Sequence, residues 1–165
     1  MTYLNNYQSY SNGLLELSFS NGTTKLIRLT EDSGRVVTRK KVDTISNVNH
    51  PGIYVGVEVH TDEPFILHNH YRIFKTAGVS PFWEYAAGEK VHWDNRICVN
   101  DKMLVLQKGL DQAIRRKKYH WLTNNCQITV NDACNNERKS EDVGKWIGRI
   151  ALGVFAVAVI KVATN

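Results

Sequence analysis

The chain changes its period once. Up to about residue 99, apolar residues fall in short runs broken by turn signals. From Asp101 onward they recur at helical spacing. Leu14 to Phe19 and Lys25 to Leu29 flank Asn21-Gly22, a strong tight-turn dipeptide, so the spacing predicts a hairpin within residues 1–33. After Asp32-Ser33-Gly34, a short strand starts at Val36 and Val37 and ends in the basic run Arg39-Lys40-Lys41. Residues 43–49 read as loop, Ile53 to Val59 and Pro64 to His68 as strands, and Val91 to Val99 as a last strand with partial alternation. Gly78, Pro81 and Gly88 break the stretch from Asn69 to Glu89, which yields no firm element.

Two helices are expected next. One starts near Asp101 and carries Leu104, Leu110 and Ile114 before the basic run Arg115-Arg116-Lys117-Lys118. The second covers Cys126 to Ala133, with Asn124 or Asn125 as its N-cap. A third helical pattern runs from Val143 to Ala163, apolar on both faces after Ile150, with Gly144 and Gly148 at small-xxx-small spacing. Its uninterrupted apolar run, residues 150–160, is short against the ~20 residues of a membrane span. With Lys145, Arg149 and Lys161 snorkelling, such a segment could insert, lie in the interface, or pack on the domain or a second copy.

A length of 165 residues suits one domain, and 42% hydrophobic with 22% charged residues excludes a wholly disordered chain. The net charge of +5 favours anionic partners without choosing among them. No aromatic platform interleaves the basic residues, so nucleic acid is not an expected partner. Three cysteines, Cys98, Cys126 and Cys134, are an odd and sparse set; they argue against a disulfide framework and for a reducing compartment. Met1 to Tyr10 lacks the apolar core of a secretory signal, so the expected location is cytoplasmic, with membrane association through residues 143–165.

Chemistry is expected from two separated segments. His50-Pro51-Gly52-Ile53-Tyr54-Val55-Gly56 places a histidine at the mouth of a short apolar strand. Asn124-Asn125-Cys126-Gln127 places a cysteine in the first turn of a helix, where the dipole favours a thiolate. A thiolate attacks and an imidazole moves its proton, so the pair is what a cysteine-nucleophile enzyme needs. A lone cysteine near a helix start is most often a small buried apolar residue. His68-Asn69-His70 could form a metal pair with His60 or His50, but no cysteine or carboxylate stands at a matching zinc spacing, and neither a metal nor another cofactor is expected. Cys98 and Cys134 read as structural, and Tyr119 and Trp121 as core or pocket wall.

The two segments together, with Ile66-Leu67-His68 between them and Tyr119 to Cys126 leading into the second, resemble the H-box and NC-box of the lecithin retinol acyltransferase-like family. That family belongs to the permuted NlpC-type thiol hydrolases, and its boxes read His-Trp-Ala-Ile-Tyr-Val-Gly, Val-Ile-His-Leu and Asn-Cys-Glu-His-Phe. Ser140-Glu141-Asp142-Val143 also resembles the Ser-Asp-Gln-Val that follows the family's cysteine helix, and Gly34-Arg35-Val36-Val37 falls where Gly-Asp-Leu-Ile is common. Pro51-Gly52 replaces Trp-Ala, Gln127 replaces the glutamate and Arg35 the acid; the nucleophile, base and orienting positions stay filled.

The resemblance implies an α+β fold: a small antiparallel sheet of four to six strands, packed against the cysteine helix in a permuted papain-like arrangement. It divides the chain into a β extension (1–33), a thiol hydrolase or acyltransferase-like domain (34–142) and a hydrophobic C-terminal helix (143–165). It implies Cys126 as nucleophile, His50 as general base and His68 as the residue that orients His50, with backbone N–H groups beside Asn125, or Tyr54, at the oxyanion. The expected reaction passes through an acyl-thioester, formed from an acyl lipid or, in the wider group, from an amide or peptide. A non-catalytic interaction protein that keeps the same boxes and associates through its C-terminal helix is the alternative of a different class.

Overall fold

The computed structural model describes residues 2–40, 49–70, 75–118, 120 and 125–137, and these form an α+β fold around one antiparallel eight-stranded sheet. The tail from Val143 to Ala163, the segment Ser140 to Val143, and Tyr119, Trp121 and Asn124 lie outside the described residues.

The expected hairpin is present as β2 (Leu14–Phe19) and β3 (Thr24–Arg28), in register with Leu15 opposite Ile27. Gly22 takes a positive φ of 82° in its turn, and the Asn21 side chain accepts from Thr23 N–H. Leu15, Leu17 and Phe19 alternate into the core. The sequence reading had no strand before the hairpin. The structure adds β1 (Leu4–Ser9), which pairs with β2, buries Leu4 and sends the Tyr7 hydroxyl to Asp111 at 2.8 Å. Burial and that carboxylate push the Tyr7 phenol up to about 12. These three strands are continuous with the main sheet, because β3 pairs with β5 (Asn49–Glu58) at Ile27↔Glu58.

β5 is the spine. One edge pairs with β3 and with β4 (Val36–Lys40), and the other with β6 (Pro64–His70), which pairs in turn with β7 (Thr76–Pro81). The register slips between Tyr54 and Gly56, where Gly56 takes φ 151° and a Cβ would stand 2.5 Å from the Arg28 carbonyl oxygen. β5 begins at Asn49, so His50 stands at the mouth of the strand as its second residue. β7 and a short helix α1 (Phe82–Ala86) occupy the stretch that sequence left without an element.

The last expected strand is cut short. β8 (Val91–Trp93) pairs with β4, Asp94 N–H still donates to the Val36 carbonyl at 2.9 Å, and residues 95–100 then leave the sheet. Their hydrogen bonds go to α3 (Cys126–Asn135): Arg96 donates to the Asn131 side chain at 2.8 Å, Val99 N–H to that of Asn135 at 3.2 Å, and Asn100 N–H to the Cys134 carbonyl at 2.9 Å. Cys98 and Cys134 form a disulfide in the same seam, with Cα atoms 4.6 Å apart. The cysteine count argued against a disulfide framework, and this single bridge joins two residues 36 apart in sequence that only the fold brings together.

α2 (Lys102–Arg115) starts where expected, its Asp101 cap accepting from Leu104 N–H at 2.9 Å. Val105, Leu106, Leu110 and Ala113 bury against the sheet together with Val130 and Ala133 of α3. The basic run at its end, Arg115 to Lys118, is exposed. On the other sheet face a small cluster of Val37, Ile66 and Tyr85 is covered by α1. Among the described residues no helix is long and apolar enough to cross a membrane.

Candidate active site

His50 and His68 come from the adjacent strands β5 and β6. Ile53 pairs with Leu67 and Tyr54 with Ile66, so alternation puts His50, Gly52, Ile66 and His68 on one face. The intervening Ile53 and Leu67 point to the core under α2 and α3. His50 Nε2 and His68 Nδ1 are 3.1 Å apart, and the rings meet edge to face at 5.3 Å. Both are buried, at 1% and 0% exposure, so this bond is made away from water.

Three residues that sequence reasoning missed complete the cluster. Ser80 on β7 places its hydroxyl 3.0 Å from His68 Nε2 and 3.4 Å from the Pro81 carbonyl oxygen. Tyr85 on α1 lies across both imidazoles, with centroids 5.7 Å from His50 and 5.1 Å from His68. Its hydroxyl donates to the His50 carbonyl at 2.6 Å. Arg39, only 4% exposed, donates from Nε to the Tyr85 carbonyl and sets its guanidinium 5.5 Å from the ring. Gly52 is what lets the ring sit there: a Cβ would stand 2.7 Å from Ile66 Cγ2 and 3.1 Å from the Tyr85 ring. Burial drives the Tyr85 phenol far up; Arg39 pulls it back and a Cys126 thiolate pushes it further.

Arg39 was legible in principle, because in β4 it shares alternation with Val37, whose side chain is buried. Its place in a basic run hid it. Ser80 and Tyr85 lay in the stretch without a readable period, and no signal there points to them.

Cys126 is the first residue of α3, which packs against β5 and β6. Asn125 caps that helix: its side chain accepts from Ile128 N–H at 3.0 Å and its carbonyl from Thr129 N–H at 3.0 Å. Asn69, beside His68, donates to the Thr129 hydroxyl at 3.2 Å and fastens the first turn to β6. Cys126 stands outside the disulfide and is buried, at 3% exposure. The Asn125 side chain is thus engaged in the cap. Tyr54 shares the histidine face and packs against the cluster of Val37, Ile66 and Tyr85; its ring meets Trp93 edge-on at 5.6 Å. The position is four residues along the strand from His50, about 13 Å. Among the described residues no group of three or more His, Cys, Asp or Glu is placed to hold a metal ion.

No family model, no curated protein and no solved structure matches this chain.

Proposed function

We propose that the protein is a cysteine-dependent acyl hydrolase or acyltransferase. The observation that carries this reading is the buried, hydrogen-bonded His50–His68 pair beside the Tyr85 ring, whose phenol a Cys126 thiolate pushes up. Cys126 Sγ is the nucleophile. His50 takes the thiol proton, and the thiolate adds to an ester or amide carbonyl. The tetrahedral species collapses to an acyl-thioester as His50 returns the proton to the leaving group. Water or an acceptor alcohol or amine then attacks the thioester, and His50 takes the proton of that attacking group. The start of α3 favours negative charge both on the thiolate and on the oxyanion. A lipid acyl chain is the favoured donor, on the strength of the exposed basic run Arg115 to Lys118 and the apolar pattern of residues 143–165.

Intact mass spectrometry after incubation with short-chain phosphatidylcholine tests the reading, with Cys126→Ala as control. An acyl adduct on the wild type alone is the expected result. No adduct, with selective alkylation of Cys126 by dilute iodoacetamide, moves the substrate class to amides or peptides. The burial of Cys126, His50 and His68 favours a second reading, a non-catalytic interaction protein that keeps the cluster as core. Neither adduct nor selective alkylation would make that reading the leading one.

A further inference from the structure

We infer that Ser80 is a positioning residue that sets the tautomers of His68 and His50 and so makes His50 Nδ1 the basic nitrogen; this rests on the acyl-transfer reading above. The chain of contacts has a direction because a serine hydroxyl carries one proton. The Pro81 carbonyl, 3.4 Å from Ser80 Oγ, can only accept. With the Ser80 proton directed there, Oγ offers a lone pair to His68 Nε2 at 3.0 Å, so that nitrogen bears the hydrogen. His68 Nδ1 is then an acceptor, and its partner at 3.1 Å, His50 Nε2, must be the donor. The lone pair of neutral His50 is left on Nδ1.

The opposite polarity ends in the wrong place. Were Ser80 to donate to His68 Nε2, His68 Nδ1 would carry the proton and donate to His50 Nε2. His50 would then hold its hydrogen on Nδ1 and offer no base there. The direction set by Ser80 also serves both charge states. When His50 Nδ1 takes the thiol proton, Nε2–H still donates to His68 Nδ1, and no second proton moves. Each group in the chain is buried, His68 at 0% and Ser80 at 1% exposure, so water does not compete for these bonds. Tyr85, bonded to the His50 carbonyl, holds the backbone from which the first ring projects.

The test is a two-bond proton–nitrogen NMR correlation of the histidine rings in the uniformly nitrogen-15-labelled full chain, above pH 7.5, with assignments from single histidine substitutions. Both His50 and His68 should be protonated at Nε2 in the wild type. In Ser80→Ala the His68 signal should move to a mixture of tautomers, and alkylation of Cys126 by iodoacetamide should slow about tenfold. Ser80→Thr, which keeps the hydroxyl, should restore both. Protonation of His68 at Nδ1 in the wild type would overturn the inference without any variant. So would a Ser80→Ala protein with unchanged tautomers and unchanged alkylation. The acyl-transfer reading fails separately: wild-type Cys126 alkylated no faster than an ordinary thiol sinks it, while the ring-nitrogen signals still decide the role of Ser80.

Discussion

At the scale of single residues, the candidate site is held by bonds to backbone as much as by bonds between side chains. Tyr85 is the clearest case. Its hydroxyl serves the carbonyls of His50 at 2.6 Å and Val37 at 3.3 Å, in a fully buried position. Tyr85→Phe keeps the ring against both imidazoles but leaves a buried carbonyl short of its donor. The expected cost is about 1–3 kcal/mol, read as a lower urea midpoint with an unchanged slope. An unchanged midpoint would show that the hydroxyl does not hold the strand. His50, His68 and Cys126 stand out in sequence because each sits beside a strand or helix-cap signal, and the structure sets the two imidazoles 3.1 Å apart. Ser80 and Tyr85 carry no such signal, because their positions depend on which strand lies beside which, and Arg39 carries only its alternation with the buried Val37.

At the scale of elements, α3 presents Cys126 and is secured at both ends. Asn125 caps its start, and the Cys98–Cys134 disulfide with the Asn100 bonds ties its end to residues 94–100. Asn125→Ala should destabilise the fold by about 1 kcal/mol and speed amide hydrogen exchange at Ile128 and Thr129 more than at Val130. Uniform acceleration along α3 would instead place the loss in the whole helix. Reduction of the disulfide reopens a loop whose ends are 36 residues apart, which a chain-entropy estimate puts at about 4 kcal/mol of stability. A thermal melt with and without dithiothreitol checks this, with Cys98→Ser insensitive to the reductant. The cap was legible, since asparagine before an apolar helical run is a local signal. The disulfide was not, because pairing of two cysteines in a set of three is decided by the distance between them in space.

For the whole molecule, acid sensitivity follows from two carboxylates held below their ordinary values of 4.5 and 3.8. Bonds from the Thr61 hydroxyl, and from the Thr61 and His60 N–H groups, outweigh the cost of desolvating Glu58. Burial pushes the Asp94 carboxyl up, and the Arg96 guanidinium, bonded at 2.7 Å, more than reverses it. Both groups bind protons more readily in the unfolded chain. Their stabilisation is therefore complete above the unfolded values and is lost as pH falls through the folded ones. Urea midpoints should hold between pH 7 and 5 and drop below about pH 4, less steeply in Glu58→Gln; a midpoint that rises on acidification would contradict the assignment. The sequence alone determined the hairpin and the starts of α2 and α3, and it nominated the histidines and cysteine of the candidate site. Each rests on period, turn chemistry or spacing within a few residues. Tertiary structure decided the rest: β1 at the sheet edge, the departure of residues 95–100 from the sheet, the disulfide, and the Ser80, Tyr85 and Arg39 shell. These depend on contacts between segments far apart in the chain, where the free energy comes from burial and hydrogen bonding that no local pattern encodes.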